Sequence, residues 1–221
     1  MSFKNSGLKI FFHLFIALGI VVPCFADSTD HVAGAWFGTF IKKPVVNNYY
    51  LWAETQLRHD LEAGSVQQVL YRGGVLRKVT EEHEVGLLYL FAQSDNIKEH
   101  RLTLQHASKY GEFLSGNFSA RTRFEARKLE DNSNEAFRLR YLLRYDTKTF
   151  DNYNPIVWNE VFLNLNREEW TGDRFYERNR FFLGSNIEFE SLRFEIGYLN
   201  QHVPRTKLTK MEHLITVYLF F

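Results

Sequence analysis

A chain of 221 residues with 27 Lys+Arg against 26 Asp+Glu carries a formal charge of +1, and its mean hydropathy is −0.31. That balance leaves no basic footprint for nucleic acid, and the length suits a single domain. Aromatic residues make up 16% of the sequence, rich for a chain whose average residue is polar.

The N-terminus reads as an address before it reads as structure. Residues 1–9 hold Lys4 and Lys9 and no acid, residues 10–22 are apolar except for His13, and Cys24 and Ala26 stand at the −3 and −1 positions of a cut before Asp27. This charged, apolar, small-residue order predicts a secretory signal peptide over residues 1–26 and a mature domain over 27–221. The apolar run is shorter than the roughly 20 residues a membrane-spanning helix needs. A retained anchor, or a lipoprotein attached at Cys24, is the alternative, although Pro23 stands where a small residue is wanted. Cleavage removes the only cysteine, leaving no disulfide or thiol chemistry. It also leaves 25 basic against 26 acidic residues, a charge near −1.

Beyond residue 33 the hydrophobic period is close to two. In residues 49–58, Tyr49, Leu51, Ala53, Thr55 and Leu57 form one face, and Trp52, Glu54, Gln56 and Arg58 the other. In residues 117–127, Phe118, Ala120, Thr122, Phe124 and Ala126 alternate with polar residues that include Arg121, Arg123, Glu125 and Arg127. In 137–145, Phe137, Leu139, Tyr141, Leu143 and Tyr145 alternate with Arg138, Arg140 and Arg144. The pattern predicts strands near 33–41, 48–59, 66–78, 84–93, 98–107, 113–127, 136–146, 155–165, 177–189, 191–202 and 211–221. Breakers separate them at Lys43-Pro44, Glu62-Ala63-Gly64, Asp131–Asn134, Asp151–Asn154, Thr171-Gly172-Asp173 and Pro204. The strands are near the ten or so residues of a tilted transmembrane strand, against about five or six in soluble proteins.

The fold expected is all-β: a single antiparallel, transmembrane, up-and-down β-barrel. Eleven segments sit awkwardly with the even counts of bacterial barrels. About twelve strands are therefore expected, with ten as the alternative: either residues 27–35 hide a short extra strand or the first segment is not in the wall. Outer connections are the longer ones, so a C-terminus on the periplasmic side puts 60–65, 166–176 and 203–210 outside the cell.

At the C-terminus Ile215, Val217, Leu219 and Phe221 alternate outward. Leu219 and the final Phe221 resemble the signal read by the outer-membrane insertion machinery, with Thr216 where a glycine is often found; an edge strand of a soluble sandwich is the alternative. The runs WNEVFLNLN (158–166), ERNRFFLGSNIEF (177–189), LRFEIGYLNQH (192–202) and HLITVYLFF (213–221) are similar to the bacterial domain-of-unknown-function 2490 family, and EHRLTLQHAS (99–108) and RTRFEAR (121–127) look like its earlier strands. The resemblance covers roughly residues 48–221. It implies an outer-membrane barrel and no activity, so no catalytic residue carries over.

By alternation Arg121, Arg123, Glu125, Arg138, Arg140, Arg144, Glu160, Arg178, Arg180 and Glu195 face the lumen, and Phe118, Phe124, Leu139, Tyr141, Leu183, Ile196 and Val217 face lipid. A carboxylate between guanidinium rows forms charge-assisted bonds, so Glu160 is expected to be a strut across the lumen. The competing role is a selectivity ring for an anionic solute. Trp36, Trp52, Trp158 and Tyr198 are candidates for aromatic girdles. Gly184 and Gly197, in mid-strand, suit barrel curvature or a neighbouring aromatic such as Phe182 or Tyr198.

His106 with Ser108, or His202 near carboxylates, is the thin basis for a lipid- or lipopolysaccharide-modifying barrel enzyme, and nothing resembles G-x-S-x-G. Glu81-Glu82-His83-Glu84 reads as a charged turn rather than a metal site, and no histidine pair has zinc spacing on one face. No cofactor is expected. The expected location is the outer membrane of a Gram-negative bacterium, as a monomer among outer-membrane lipid and lipopolysaccharide, inserted by the barrel machinery. The expected role is structural, or passive passage of a small, anionic solute. A soluble periplasmic binding barrel is a further alternative, and would need an apolar inside and a polar outside.

Overall fold

In the computed structural model the residues described are 29–113, 115–147, 153–172, 174–189, 192–205 and 208–221; the expected signal peptide lies outside them. They form eleven strands: β1 Thr29–Val46, β2 Tyr49–Asp60, β3 Ser65–Lys78, β4 His83–Ser94, β5 Ile97–Phe113, β6 Gly116–Leu129, β7 Glu135–Thr147, β8 Tyr153–Asn164, β9 Tyr176–Phe189, β10 Leu192–Val203 and β11 Thr209–Phe220. A single 3-10 turn, Glu169–Thr171, interrupts the β8–β9 connection. Each strand pairs antiparallel with the next, and the barrel closes where β1 meets β11 in parallel, from Thr29↔Thr209 to Phe40↔Phe220.

The closure corrects the expected count of twelve, or ten. Residues 29–46 make one continuous strand that is part of the wall, so the first segment neither hides a second strand nor stands apart. An odd number of strands closes because the seam is parallel, which puts Thr29 and Phe221 at opposite ends of the barrel. The expected break at Lys43-Pro44 is also inside β1, which passes through a register irregularity between Pro44 and Val46 and turns at Asn47-Asn48. Beyond Lys42 the β11 partner has ended. One edge of β1 is free there, and a residue without an N–H costs the ladder nothing.

Turn chemistry fixes the hairpins. Asn47 and Asp95 have φ of 48° and 46° in two-residue turns, the left-handed conformation that Asn and Asp tolerate best among non-glycine residues. In β5 the register shifts between Lys109 and Gly111, and Gly111 takes φ 90°. This bulge carries β5 on to Phe113, past the expected end at 107. The connections at the end where β11 begins (61–64, 95–96, 130–134, 165–175 and 204–208) are on balance longer than those at the other end.

The two faces of the wall differ in chemistry. Outward side chains are apolar and exposed: Leu104 and Leu183 are each 57% exposed and Ile215 61%. Inward side chains include buried charges on β2, β3 and β5–β10. An apolar cluster of Trp36, Leu142, Ile156, Trp158, Phe182, Leu199 and Leu214 fills part of the inside, and Leu70, Leu90 and Ala92 form another.

Candidate functional site

Inward charges on neighbouring strands meet because antiparallel register sets them opposite one another: Arg123 faces Arg140, Glu125 faces Arg138, and Glu160 faces Arg180. Register alone does not choose the partners, because a guanidinium can reach two strands away. Glu160 on β8, 2% exposed, accepts from Arg140 Nη2 at 2.9 Å on both oxygens and from Arg121 Nη2 on β6 at 3.1 Å. Its register neighbour Arg180 stands off at 3.8 Å and donates instead from Nε to Gln201 Oε1 at 2.6 Å. Glu125, wholly buried, takes Arg138 at 2.5 Å and Arg140 at 2.8 Å. Glu195 on β10 takes Arg144 Nη1 at 2.7 Å and the Trp158 indole N–H at 3.2 Å. These are charge-assisted bonds between side chains of different strands, so each carboxylate acts as a tie between strands.

Phe162, 1% exposed, sits among four guanidiniums. Those of Arg138, Arg140, Arg178 and Arg180 lie 5.2, 4.5, 5.8 and 4.7 Å from its ring centre. Its π face favours cations and its bulk keeps them apart. Arg58 and Arg180 likewise flank Trp36, at 4.1 and 4.8 Å.

All ten residues expected in the interior charge network therefore point inward, and the network is larger than they are. Sequence reading omitted Glu54 and Arg72 (2.6 Å apart) and the Glu99–Arg101 and Glu99–Arg127 pairs at 2.7 and 2.6 Å. The polar face of residues 49–58 held Glu54 in plain view. Glu177 is different. A register shift opposite Phe162/Leu163 makes it the extra residue of β9, and its carboxylate turns inward onto Arg138 at 2.9 Å and Arg178 at 2.6 Å. Alternation counts Glu177 as outward, and a bulge leaves no mark in the hydrophobic pattern.

Three girdle candidates are corrected. Trp36, Trp52 and Trp158 line the interior cavity, because they share strand parity with Gly34, Glu54 and Glu160; Tyr198 does lie outside, 42% exposed. Leu219 is part of β11 and faces outward, while Phe221 follows the strand and is tied to β1, its N–H donating to Phe40 O at 2.9 Å and its O accepting from Lys42 N at 3.2 Å. Gly184 and Gly197 face each other across β9–β10. A Cβ on Gly184 would meet Ile196 O at 2.4 Å and Phe182 Cζ at 2.5 Å, so the ring of Phe182, rather than Tyr198, occupies the space both glycines leave.

The thin enzymatic candidates do not assemble. His106 pairs with His83 at 3.2 Å on the outer face, no hydrogen bond joins it to Ser108 among the described residues, and His202 meets Tyr176 at 3.4 Å. In the 79–82 turn Glu81 is held by Lys78 at 2.5 Å, whose ammonium keeps that carboxyl below the usual range, and Glu84 is held by Lys42.

The charged inner face encloses a cavity of about 760 Å3, lined by residues from Arg138 near one end of β7 to Thr147 at the other. Twelve arginines line it against six carboxylates, and with Glu125, Glu177 and Glu212 buried behind them the acids still number only nine among the described residues. At the end of longer connections the 3-10 turn lays Trp170 on Arg127, 5.0 Å from guanidinium to ring centre.

The protein is thus a closed up-and-down β-barrel with an apolar exterior and a cationic, aromatic-studded interior. It belongs to the family described as "Protein of unknown function (DUF2490)", whose profile matches residues 33–212 and so reaches into β1, further than the 48–221 first expected. An uncharacterized protein of Methylorubrum extorquens is 29% identical over 196 residues, covering 84% of this chain and 85% of the other. Among solved structures the NanC porin superposes with a TM-score of 0.51 at 9% identity, over 79% of this chain and 90% of that one. At such identity the likeness is one of fold.

Proposed function

We propose that the protein is a bacterial outer-membrane barrel whose interior lets small anionic solutes pass without energy input. The observation that carries this reading is the cationic surplus around a cavity running along the wall: twelve lining arginines against six carboxylates. A ring of fixed cations lowers the barrier for anions and raises it for cations. Glu160 and Glu125 then serve as struts, because each already holds two arginines by hydrogen bonds. Selectivity falls to the arginines left over.

The inside-out distribution supports the membrane. An exposed apolar exterior with a charged interior is the reverse of what a soluble binding barrel needs, and exposed apolar surface of that extent marks a partner or lipid. The fold shared with a porin agrees. In this reading the partners are outer-membrane lipid and lipopolysaccharide, and Leu219 and Phe221 present the signal for the insertion machinery; residues 1–26 are removed on export.

The test is in two parts. Fractionation of cells expressing the full chain should recover it in the outer membrane with heat-modifiable gel mobility; a detergent-free periplasmic protein overturns the membrane assignment. In planar bilayers under a potassium chloride gradient the reversal potential should show anion preference. No conductance, or preference for potassium, overturns the passage.

A further inference from the structure

Most interior arginines hold a carboxylate of the wall. Arg58, Arg123 and Arg193 have none within 4.0 Å among the described residues, and two of these are otherwise engaged. Arg58 donates to Gln68 at 2.7 Å and lies on Trp36, and Arg193 lies on the ring of Phe220 at 4.2 Å. Arg123 has less. It is 3% exposed, its one hydrogen bond among the described residues runs from Nε to Gln105 Oε1 at 2.7 Å, and its two terminal nitrogens are left to the cavity it lines.

Its surroundings do not compensate it. Arg121 on the same strand, Arg72 on β3 and Arg140 on β7 are its cationic neighbours, while the nearby carboxylates are already held, Glu54 by Arg72 at 2.6 Å and Glu160 by Arg140 at 2.9 Å and Arg121 at 3.1 Å. The Nε atoms of Arg72, Arg121 and Arg140 are buried with no partner among the described residues. A guanidinium does not shed its proton in a protein, and a buried charge is stable only when paired or hydrogen-bonded. Arg123 is left without a carboxylate of its own among the described residues at this level of the barrel.

We infer that Arg123 forms a binding step for a compact oxyanion, a carboxylate or phosphate group, inside the lumen. With Nε fixed on Gln105, the free edge of the guanidinium presents its two terminal nitrogens side by side, a fork that matches two oxygens of one carboxylate or phosphate. Arg121 and Arg140 add positive potential without closing the site, since both are drawn to Glu160. The inference rests on the anion-passage reading and adds to it a saturable site, where a filter alone would show none.

The experiment uses the detergent-solubilised full barrel at fixed ionic strength. Sodium acetate and sodium phosphate are titrated separately against a chloride background by calorimetry, alongside the bilayer reversal potential. Saturable binding of at least one anion is expected, and Arg123→Gln should weaken it about tenfold or more, the scale of one lost charge-assisted pair. Arg123→Lys, which keeps the charge and loses the fork, should fold normally and still bind more weakly. Arg77→Gln, which removes a cation from the outer face, should leave binding unchanged. Binding of both anions assigns the site to carboxylates and phosphates alike, and binding of phosphate alone narrows it to phosphate. Unchanged affinity in both Arg123 variants overturns the inference. Anion-selective conductance with no saturable binding overturns it too, and leaves passage standing. Saturable binding lost in Arg123→Lys, in a barrel with no anion preference, supports the site and removes passage.

Discussion

The inner faces of β6–β8 and of β3–β4 follow the same alternation and fill the barrel by different physics. On β6–β8 long charged side chains cross the lumen, and Glu160 gathers arginines from β6 and β7 while sitting on β8. On β3–β4 the inner face is aliphatic apart from Gln68 and Arg72: Leu70, Leu76, Leu88, Leu90 and Ala92 are each no more than 2% exposed. Leu76 and Leu88 lie over glycines of the wall. A Cβ on Gly86 would meet Leu76 Cδ2 at 2.4 Å, and one on Gly74 would meet Leu88 Cδ2 at 2.8 Å. A leucine contact is local and non-directional, whereas an arginine tie is directional and links strands that do not neighbour each other. The charged side therefore carries most of the cross-bracing, and the aliphatic side, Arg72 apart, closes space.

Glu160→Gln puts the sharpest strain on that contrast. It leaves Arg121 and Arg140 with a weaker acceptor, and breaking a buried pair from one side costs about 3–5 kcal/mol. The unfolding midpoint in detergent should fall clearly. Neutralising Arg121 in the same protein should recover part of the loss, and neutralising Arg180 should recover less, because Arg180 sits at 3.8 Å. A single mutant that loses under about 1 kcal/mol would mean that water already screens the lumen as it does surface pairs, and the two inner faces would not differ in kind.

Leu90→Ala probes the other face. The side chain is fully buried with Leu70 and Ala92, and deleting it should cost about 2–5 kcal/mol through lost burial and a residual cavity. The bilayer reversal potential should not move. A shift in ion preference from this change would show that the aliphatic side also shapes the solute path.

The smallest expected effect is at the mouth. Trp170→Ala removes one ring from Arg127, a cation–π contact of about 0.5–1 kcal/mol at a partly exposed site. Stability should hardly change, while single-channel conductance should rise as the mouth widens. Unchanged conductance would place the narrowest part of the path within the arginine rows instead.

What the sequence determined by itself was the wall. Period-two alternation over segments of a dozen residues settles strand type and facing, because each residue's side is fixed by its parity; the inward placement of Arg121, Arg140, Glu160 and Glu195 followed from that alone. The breakers Glu62-Ala63-Gly64 and Asp131–Asn134 marked connections for the same local reason. The tertiary structure decided everything that breaks parity or needs distance. The parallel seam made eleven strands a closed number, because closure depends on how β1 meets β11 across the whole chain. The bulge at Glu177 turned an outward residue inward, whereas the three tryptophans obey the parity that the sequence already carried. Partner choice was decided there too: Glu160 passes over its register neighbour Arg180 for Arg121 and Arg140, since the reach of a guanidinium across a curved lumen depends on three-dimensional distance. For that reason Arg123, left without a carboxylate among the described residues, could not be told in the sequence from the arginines around it.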